Sequence, residues 1–496
     1  MNYYTILFPI LLPIIAGAAS YFIKFEKEEQ RNKYAIIATT LVSVITVIDL
    51  FILRGKSVMM FAFNDKLNIS FKIDGLSCVF AGMVSFLWPL AVIYATEYMK
   101  HEGHQKKFFA FYIMTFGVTL GIAFSANMLT MYLCYELLTF ITLPLVMHGM
   151  DPRSIYAGKK YLIYSVSGAS LSFVGMMVIL AKTGSLEFVY GGLLKSADGT
   201  VLFAYLLMFI GFGVKAAIVP FHAWLPGASV APTTVTALLH AVAVVKAGVF
   251  AIMRTTFFFF GTTYISGTWV QNVAMIFAIV TICYGSWMAA RSQHLKRRLA
   301  YSTISQLAYI VFGVTLMSAE GLAGGLSHML FHGLMKIVLF YVAGAILYTN
   351  HKEYVYELEG YAKKMPKSFF LFTICSLSLI GVPPFPGFLS KFALATAAAK
   401  KGVFSMAHFD LTSFLAFLGI CALMFSAFMT AIYLMEIIIK AYFPSKDFDE
   451  TTLETVKEAP SAMIIPMAVI TFGMVSIVFW SKPLFEFIFN IAKGGF

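Results

Sequence analysis

The chain has 496 residues, of which 60% are hydrophobic and only 12% are charged, and its formal net charge is +12. Soluble globular chains carry about twice that share of charged residues, so the composition excludes an ordinary cytosolic enzyme, a disordered chain and a nucleic-acid scaffold. Each bilayer crossing takes about 20 apolar residues, and the length accommodates about fourteen helical crossings with short connections. We therefore expect an all-α polytopic membrane protein.

Fourteen apolar runs follow one another along the chain, and each predicts one membrane-spanning helix. The first run has no basic segment before it and no small-residue cleavage site, so we expect a retained helix rather than a signal peptide. No connection between the runs is long enough to form a soluble domain. The runs are 3–23, 34–53, 75–97, 108–125, 128–148, 161–181, 201–220, 233–253, 269–290, 299–317, 321–349, 368–400, 411–439 and 460–481.

Lys and Arg are distributed unevenly between the two sets of connections. The connections after odd-numbered helices hold 21, whereas those after even-numbered helices and the C-terminal tail hold 11. Because short connections rich in Lys and Arg remain in the cytoplasm, we expect a multi-pass protein of the prokaryotic cell membrane with both termini outside. The same asymmetry accounts for the positive net charge of the chain, so a nucleic-acid partner is not needed to explain that charge.

Two of the runs are interrupted by proline. The seventh ends at Pro220, shortly after Lys215, and the twelfth carries Gly381–Gly387 near its centre. Broken helices are tolerated in a membrane only where protein or water satisfies the freed backbone groups, and a pair of them is typical of transporters with inverted repeats.

The spacing of these breaks predicts two inverted five-helix repeats. Helices 4–8 form the first repeat at 108–256, and helices 9–13 form the second at 269–440. Residues 1–107 then hold the three N-terminal helices, and 441–496 hold a cytoplasmic loop and helix 14.

Four lysines lie well inside apolar runs, beyond easy reach of either membrane surface: Lys215, Lys246, Lys336 and Lys391. A charge at that depth costs about 3 kcal/mol or more, so it indicates function by default. Only Glu136 and Glu436 lie clearly at membrane depth as counter-ions, with Asp49 near a helix end. At least two lysines must therefore be neutral part of the time or solvated by internal water. An amine in such surroundings can bind and release a proton reversibly.

Histidines accompany two of these lysines. His328, His332 and Lys336 recur at intervals of four in the eleventh run and line one helix face, while His240 and Lys246 share the eighth run. The two histidines four residues apart could also hold a metal or pack in the core. No carboxylate or thiol lies on the same helix turn, so the pattern favours a hydrated proton relay.

Other cofactor signals are absent from the sequence. The five cysteines have no paired spacing and predict no Fe–S, zinc or disulfide framework: Cys78, Cys134, Cys283, Cys375 and Cys421. There is no glycine motif for a nucleotide and no flavin site. We expect neither an active site nor a cofactor in this chain.

Several stretches, taken together, resemble one membrane-protein family. The longest is KAAIVPFHAWLPGASVAPTTVTALLHAVAVVKAG at 215–248, and the others are 296–306, 328–336 and 381–391, with Asp74–Ser77 in support. The chain resembles the antiporter-like membrane subunits of respiratory complex I (NADH:quinone oxidoreductase). The same subunits occur in membrane-bound [NiFe] hydrogenases and formate hydrogenlyase, and in Mrp-type multisubunit Na+/H+ antiporters.

The resemblance implies a polar axis across the membrane centre. The matched residues are Glu136, Lys215, Lys246 and Lys391, with His328, His332 and Lys336 between the halves and His240 beside Lys246. It also implies that other membrane subunits are partners, that H+ or Na+ is the cargo, and that Fe–S, NiFe or flavin groups belong to those partners.

Three functions remain compatible with these residues. The first is an ion-translocating subunit driven by redox chemistry in partner subunits, and the second is a subunit of an Mrp-type antiporter without a redox partner. A free-standing secondary transporter is the third. A structural anchor without transport is disfavoured, because the costly buried charges are intact.

Overall fold

The computed structural model describes residues 3–64, 66–402 and 410–495. Parts of three predicted segments lie outside these ranges: residues 1–2 and 65 of 1–107, residues 403–409 of 269–440, and residue 496 of 441–496.

The described residues are predominantly helical, and each predicted run coincides with one helix or a consecutive pair. In chain order the helices are α1 Phe8–Phe22, α2 Glu28–Ile52, α3 Gly75–Tyr98, α4 Gln105–Phe124, α5 Met128–Val146, α6 Pro152–Thr183, α7 Gly199–Lys215, α8 Trp224–Gly227, α9 Thr233–Ala241, α10 Val244–Arg254, α11 Trp269–Arg291, α12 Leu295–Thr315, α13 Ala319–Asn350, α14 Pro366–Ile380, α15 Pro386–Gly402, α16 Leu411–Tyr442, α17 Ser461–Ser476 and α18 Ser481–Ala492. Among these residues, eleven helical segments are long and apolar enough to cross a membrane. The fold is therefore an all-α polytopic membrane fold.

The two predicted breaks are present. Helix α7 ends at Lys215, and the chain turns before the short helix α8 begins. In the twelfth run, α14 ends at Ile380 and α15 begins at Pro386. Gly381 caps α14 with a φ of +97°, a left-handed conformation that glycine adopts without a steric penalty.

A third break divides the eighth run and was not predicted. Helix α9 ends at Ala241 and α10 begins at Val244, so His240 and Lys246 lie on different helices. The N–H groups of Val242 and Ala243 both donate to the Leu238 carbonyl, at 3.2 and 3.0 Å. Neither proline nor glycine lies at this break, so no local sequence signal marked it.

Helix α13 forms the centre of the bundle. It is buried along nearly its whole length and is surrounded by α3, α9, α12, α14, α15, α17 and α18. Because α13 touches elements of both predicted repeats, its side chains can connect the two halves.

A β-hairpin joins α2 to α3. Strands β1 Ser57–Asn64 and β2 Leu67–Lys72 pair antiparallel, with Ser57 opposite Lys72. The Asn127 amide, at the start of α5, donates to the Ser70 hydroxyl at 2.9 Å and ties the hairpin to the bundle. The sequence analysis treated these residues as a plain connection.

Two arginines that the charge count placed in connections are wholly buried. Arg254 makes two hydrogen bonds to Asp74, at 2.5 and 2.8 Å, which join the end of α10 to the start of α3. Three phenylalanine rings surround its guanidinium carbon at 5.1–5.3 Å: Phe188, Phe250 and Phe258. Arg298 bonds Glu436 at 2.8 Å and joins α12 to α16.

Candidate functional site

Glu136 and Lys215 lie together in the first predicted repeat. The Lys215 ammonium donates to the backbone carbonyl of Tyr135 and lies 3.4 Å from the centroid of the Tyr135 ring. Glu136 is the next residue on α5 and is near enough for its carboxylate to interact electrostatically with Lys215. Its Oε1 atom is buried and has no hydrogen-bond partner among the described residues. The carboxylate therefore lies near the ammonium. No hydrogen bond from a described residue to Oε1 holds the carboxylate in place.

Helix α10 meets α7 at the break after Lys215. A Cβ atom on Gly248 would lie 2.5 Å from the Ala216 amide nitrogen, closer than real contacts allow. Only glycine permits this approach, which places the first turn of α10, with Lys246, beside the end of α7.

Lys246 and His332 form a hydrogen-bonded pair. The Lys246 Nζ atom is 2.9 Å from the His332 Nδ1 atom, and both side chains are wholly buried. Neither has a carboxylate partner among the described residues. A neutral imidazole accepts a hydrogen bond from an ammonium and donates to a neutral amine, so the pair can hold a shared proton in either arrangement.

Lys336 and His240 form a second buried pair of basic groups. The Lys336 Nζ atom and both ring nitrogens of His240 have no hydrogen bond among the described residues. The ring of Phe340 lies beside both, at 4.8 Å from the His240 ring and 6.0 Å from Lys336 Nζ. Polar groups this deep in a membrane protein are costly, so their retention indicates function.

His328 and Lys391 lie in the second predicted repeat. The two ring nitrogens of His328 bond the Ser390 hydroxyl at 2.9 Å and the Gln306 side-chain oxygen at 3.0 Å. Lys391 donates to the carbonyls of Leu379 and Ile380, at 2.7 and 3.0 Å. These are the last carbonyls of α14, which lack helical donors because the helix is broken there.

The ring of Tyr309 joins these two groups. It stacks on the His328 ring at 5.3 Å, and its centroid is 5.2 Å from Lys391 Nζ. The structure thus brings seven of the predicted residues into one band through α7, α9, α10, α13 and α15, with Glu136 at its edge on α5.

The charge balance of this band differs from the expectation in one respect. Glu436 was expected to be a counter-ion for the buried lysines, but it pairs with Arg298 and Lys440 instead. The eight predicted residues therefore comprise seven basic groups and the single carboxylate of Glu136.

Some residues of the band were not singled out by sequence reasoning. Tyr135, Gln306, Tyr309 and Ser390 carry no charge, so a search for buried ionisable groups passed over them. Gln306 and Ser390 do fall inside the stretches that carry the family resemblance. Among the described residues, no group of three or more His, Cys, Asp or Glu side chains is placed to hold a metal ion.

A polytopic helical bundle with broken helices and a central band of buried lysines and histidines defines a class of membrane ion-transport proteins. The family profile "NADH:quinone oxidoreductase/Mrp antiporter, TM" matches residues 125–435. A second profile, "NADH-Ubiquinone oxidoreductase (complex I), chain 5 N-terminus", matches residues 60–109. The chain belongs to the NADH:quinone oxidoreductase/Mrp antiporter membrane-subunit family, which confirms the resemblance.

Curated relatives include subunit A1 of a Na(+)/H(+) antiporter from Staphylococcus aureus (strain MRSA252). It is 30% identical over 430 residues, which cover 82% of this chain and 53% of the relative. The same subunit from strain Newman is 30% identical over 427 residues, with the same shares covered. The chain spans about half the length of the curated relatives it matches.

Two solved structures share the fold. A chain of the archaeal membrane-bound sulfane sulfur reductase, a respiratory membrane complex, superposes with a TM-score of 0.85 at 22% identity and covers 99% of this chain and 97% of that chain. A chain of the Mrp complex from Dietzia sp. DQ12-45-1b also gives 0.85, at 19% identity, and covers 98% of this chain and 52% of that chain.

Proposed function

We propose that this chain is the ion-translocating subunit of a multisubunit membrane complex and moves protons, or exchanges Na+ for H+, along its central band. The proposal is carried by one observation: Lys215, Lys246 and Lys336 are wholly buried, and Glu136 is the single carboxylate beside them in the part of the chain that the structure describes. Charges of one sign in an apolar interior repel each other and are poorly solvated, so the band cannot be fully protonated at rest. When a set of neighbouring groups holds fewer protons than it has basic sites, a proton can pass from one group to the next.

The proposed route follows the order of the groups in space. A proton held at Lys215 beside Glu136 passes to Lys246 and His240, then to His332 and Lys336, and reaches Lys391 by way of His328. The breaks at α7, between α9 and α10, and between α14 and α15 each lie within a few residues of a lysine on this route. Backbone that has already left the helical pattern lets each amine change neighbours.

The two ends of the band support the inference that this chain has partner subunits. Glu136 and Lys391 are only partly buried, whereas the lysines and histidines between them are wholly buried. Exposed apolar side chains flank each, with Leu137 beside Glu136 and Phe392 beside Lys391. A charged group on a lipid-facing surface is costly, so neighbouring membrane subunits that cover both ends account for the arrangement.

Redox-driven translocation is the leading form of this proposal. The relative in the sulfane sulfur reductase is part of a respiratory complex and matches this chain over nearly its whole length. In that form, partner subunits carry the redox groups and this chain carries the ion. The second form is Na+/H+ exchange without a redox partner, favoured by the antiporter subunit A1 relatives at 30% identity.

Two substitutions at Lys391 test the proposal. We expect Lys391→Ala to abolish transport by the purified complex in proteoliposomes. Lys391→Arg keeps a donor for the Leu379 and Ile380 carbonyls but does not release a proton at ordinary pH, so it should assemble normally and still fail to transport. Transport at the wild-type rate in both variants would overturn the proposal.

The subunits that co-purify with the wild-type chain in mild detergent separate the two forms. A module carrying Fe–S, NiFe or flavin groups supports redox coupling. Small antiporter subunits alone support Na+/H+ exchange.

A further inference from the structure

A groove of about 390 Å³ opens between α1 and α4 at one end of the two helices. It lies outside the band of lysines and histidines, and we call it the α1–α4 groove. All of its lining side chains except one lysine are apolar or aromatic. They are Ala18, Tyr21 and Phe22 of α1 and Lys107, Ala110, Phe111 and Met114 of α4.

Close packing of the two helices stops where the groove begins. A Cβ atom on Gly117 would overlap the Ile10 carbonyl oxygen, and one on Gly17 would lie 2.6 Å from the Ala110 carbonyl oxygen. Only glycine permits these approaches, so the two backbones are in direct contact from Ile10 to Gly17. The groove occupies the remaining turn of α1, which ends at Phe22.

The α1–α4 groove opens on the outer surface of the bundle. Tyr21 and Phe22, which line it, are exposed over 47% and 78% of their surface. In a membrane this surface meets lipid, and an acyl chain can fill a groove with an apolar lining through many small packing contacts. An empty groove would forfeit those contacts.

Two lysines lie at the end of the groove. Lys107 lines it and is half-buried, and the Lys106 ammonium is 5.7 Å from the centroid of the Tyr21 ring. Neither lysine has an ion-pair partner among the described residues, whereas Lys100 in the same connection pairs with Glu97 at 2.7 Å. A lysine stem can lie along apolar surface while its ammonium reaches the level of the lipid headgroups. The two ammoniums are therefore available to an anionic headgroup.

The distribution of charge predicts which leaflet this end of the helices meets. The connections 24–33 and 98–107 flank the groove and belong to the class rich in Lys and Arg, which predicts the cytoplasmic face. Anionic phospholipids give the cytoplasmic leaflet a negative surface potential that attracts Lys and Arg near it. The two lysines are complementary in charge to that leaflet.

We propose that the α1–α4 groove binds one anionic phospholipid of the cytoplasmic leaflet. One acyl chain lies between the helices against Phe111 and Met114, and Lys106 and Lys107 bind the phosphate of the headgroup. The lipid completes the packing of α1 on α4 beyond Gly17, where the backbones no longer touch. This site is separate from the central band, so the inference goes beyond the proposed function.

A transmembrane helix of a partner subunit is the other candidate occupant. The apolar span of such a helix would fill the groove but would leave Lys106 and Lys107 without a counter-charge. A phospholipid supplies both the apolar chain and the anion, so the two lysines favour the lipid.

Photoactivatable lipids test the site directly. The full complex is reconstituted in vesicles of phosphatidylglycerol and phosphatidylcholine that contain a small amount of a probe with a diazirine on one acyl chain. The probe carries either a phosphatidylglycerol or a phosphatidylcholine headgroup. We expect the phosphatidylglycerol probe to label residues 18–22 or 107–114 more strongly than the phosphatidylcholine probe does. Equal labelling by both probes, or labelling of neither segment, would overturn the proposal.

Lys106→Ala together with Lys107→Ala should remove the preference for the anionic probe. The attraction of an anionic leaflet for each lysine corresponds to about a 5-fold change in binding, so the preference should fall by about that factor for each lysine removed. An unchanged preference in the assembled double variant would contradict the assignment of the two lysines.

Lys159→Ala together with Lys160→Ala is the matched control. These lysines are also adjacent, with the first exposed and the second half-buried, and the Lys160 ammonium is 6.0 Å from the centroid of the Tyr164 ring. A Cβ atom on Gly158 would overlap the Met147 side chain, so α6 is closely packed at this point. Labelling between α1 and α4 should stay at the wild-type level. An equal fall in this control would show that general surface charge attracts the lipid, and it would overturn the proposal.

Ala18→Phe tests the acyl-chain part of the site, because it fills the groove and keeps both lysines. Labelling by the phosphatidylglycerol probe should fall to the level of the phosphatidylcholine probe. Ile15→Phe is the control, since Ile15 is 63% exposed on the same helix and is not part of the groove lining. Wild-type labelling in assembled Ala18→Phe would overturn the proposal, even if the lysine variant fails to assemble.

Ala18→Cys reports on the other occupant. A linker that reacts with thiols and amines is applied to membranes that contain the full complex. A cross-link from this position to another subunit, with no labelling of the groove by either lipid probe, would show that a partner helix fills it and would overturn the proposal. We expect no such cross-link.

Discussion

The ammonium of Lys215 rests on the ring and carbonyl of Tyr135, and the carboxylate of Glu136 lies one residue away. The hydrogen bond to the carbonyl is made whether or not Glu136 is ionised, because it belongs to the backbone. The carboxylate adds a long-range attraction that depends on its own position. Two unit charges about 4 Å apart at an effective dielectric of about 20 attract by about 4 kcal/mol. Movement of Glu136 toward a neighbouring subunit would therefore weaken the hold of Lys215 on its proton.

We call this control of Lys215 by Glu136 the switch, and it predicts a specific pattern in a double-mutant cycle. Glu136→Gln and Lys215→Ala should each abolish transport, and the double variant should be no worse than either, because both residues serve one step. Transport by the intact complex in membrane vesicles, normalised to the amount assembled, is the measurement. Glu97→Gln is a suitable control, since Glu97 is a partly buried carboxylate that pairs with Lys100 and lies outside the band.

Additive losses would contradict the switch. Two partly active single variants, with a double variant far below both, would show that the residues act independently.

At the scale of helices, proline and glycine allowed two of the three breaks to be predicted. Pro220 and the Gly381–Gly387 stretch mark backbone that cannot continue as a helix. The break between α9 and α10 has no such marker, since neither proline nor glycine lies there and the N–H groups of Val242 and Ala243 both donate to the Leu238 carbonyl. The length and hydropathy of the apolar runs located every helix of the band but could not show that His240 and Lys246 belong to different helices.

The Arg254–Asp74 ion pair fastens α10 to α3, and it predicts a loss of stability. Asp74→Asn keeps the N-terminal cap of α3 but leaves a wholly buried guanidinium without a counter-charge. Removing one partner of a buried pair costs about 3–5 kcal/mol. Thermal unfolding of the purified chain in detergent should therefore begin at a lower temperature.

Asp198→Asn is the matched control for that measurement. Asp198 also caps a helix, α7, and pairs with a lysine at 2.6 Å, but both side chains of this pair are about half exposed. Its unfolding should resemble the wild type. Wild-type stability in Asp74→Asn would show that the three phenylalanine rings alone hold Arg254.

For the whole molecule, hydropathy was sufficient to predict the all-α membrane fold, since each of the fourteen apolar runs contains one helix or a pair. The eight site residues could be chosen because buried charge is rare in membranes. Their mutual contacts could not be predicted, because Lys246 contacts His332 and Tyr309 contacts Lys391 through the packing of segments that are distant in the sequence. The β-hairpin was missed because its residues lie between two apolar runs and were interpreted as a plain connection.

The orientation of the molecule leads to a labelling prediction. In a Cys421→Ser background, a membrane-impermeant thiol reagent applied to intact cells should label Ser196→Cys and not Gln293→Cys. Both positions are exposed and lie in connections of opposite class. Permeabilised cells should show both labelled. Labelling of Gln293→Cys in intact cells would reverse the assignment of the two faces.

Each of the three breaks lies within six residues of a lysine in the band: Lys215 ends α7, Lys246 follows the start of α10, and Lys391 follows the start of α15. A continuous helix is stiff, because displacing one residue lengthens the hydrogen bonds of the turns on both sides. At these three places the helix is already interrupted, so part of that resistance to displacement is absent. Movement of an amine there meets fewer helical hydrogen bonds than it would in the middle of a helix, so each of these three lysines lies beside a point where the backbone can bend.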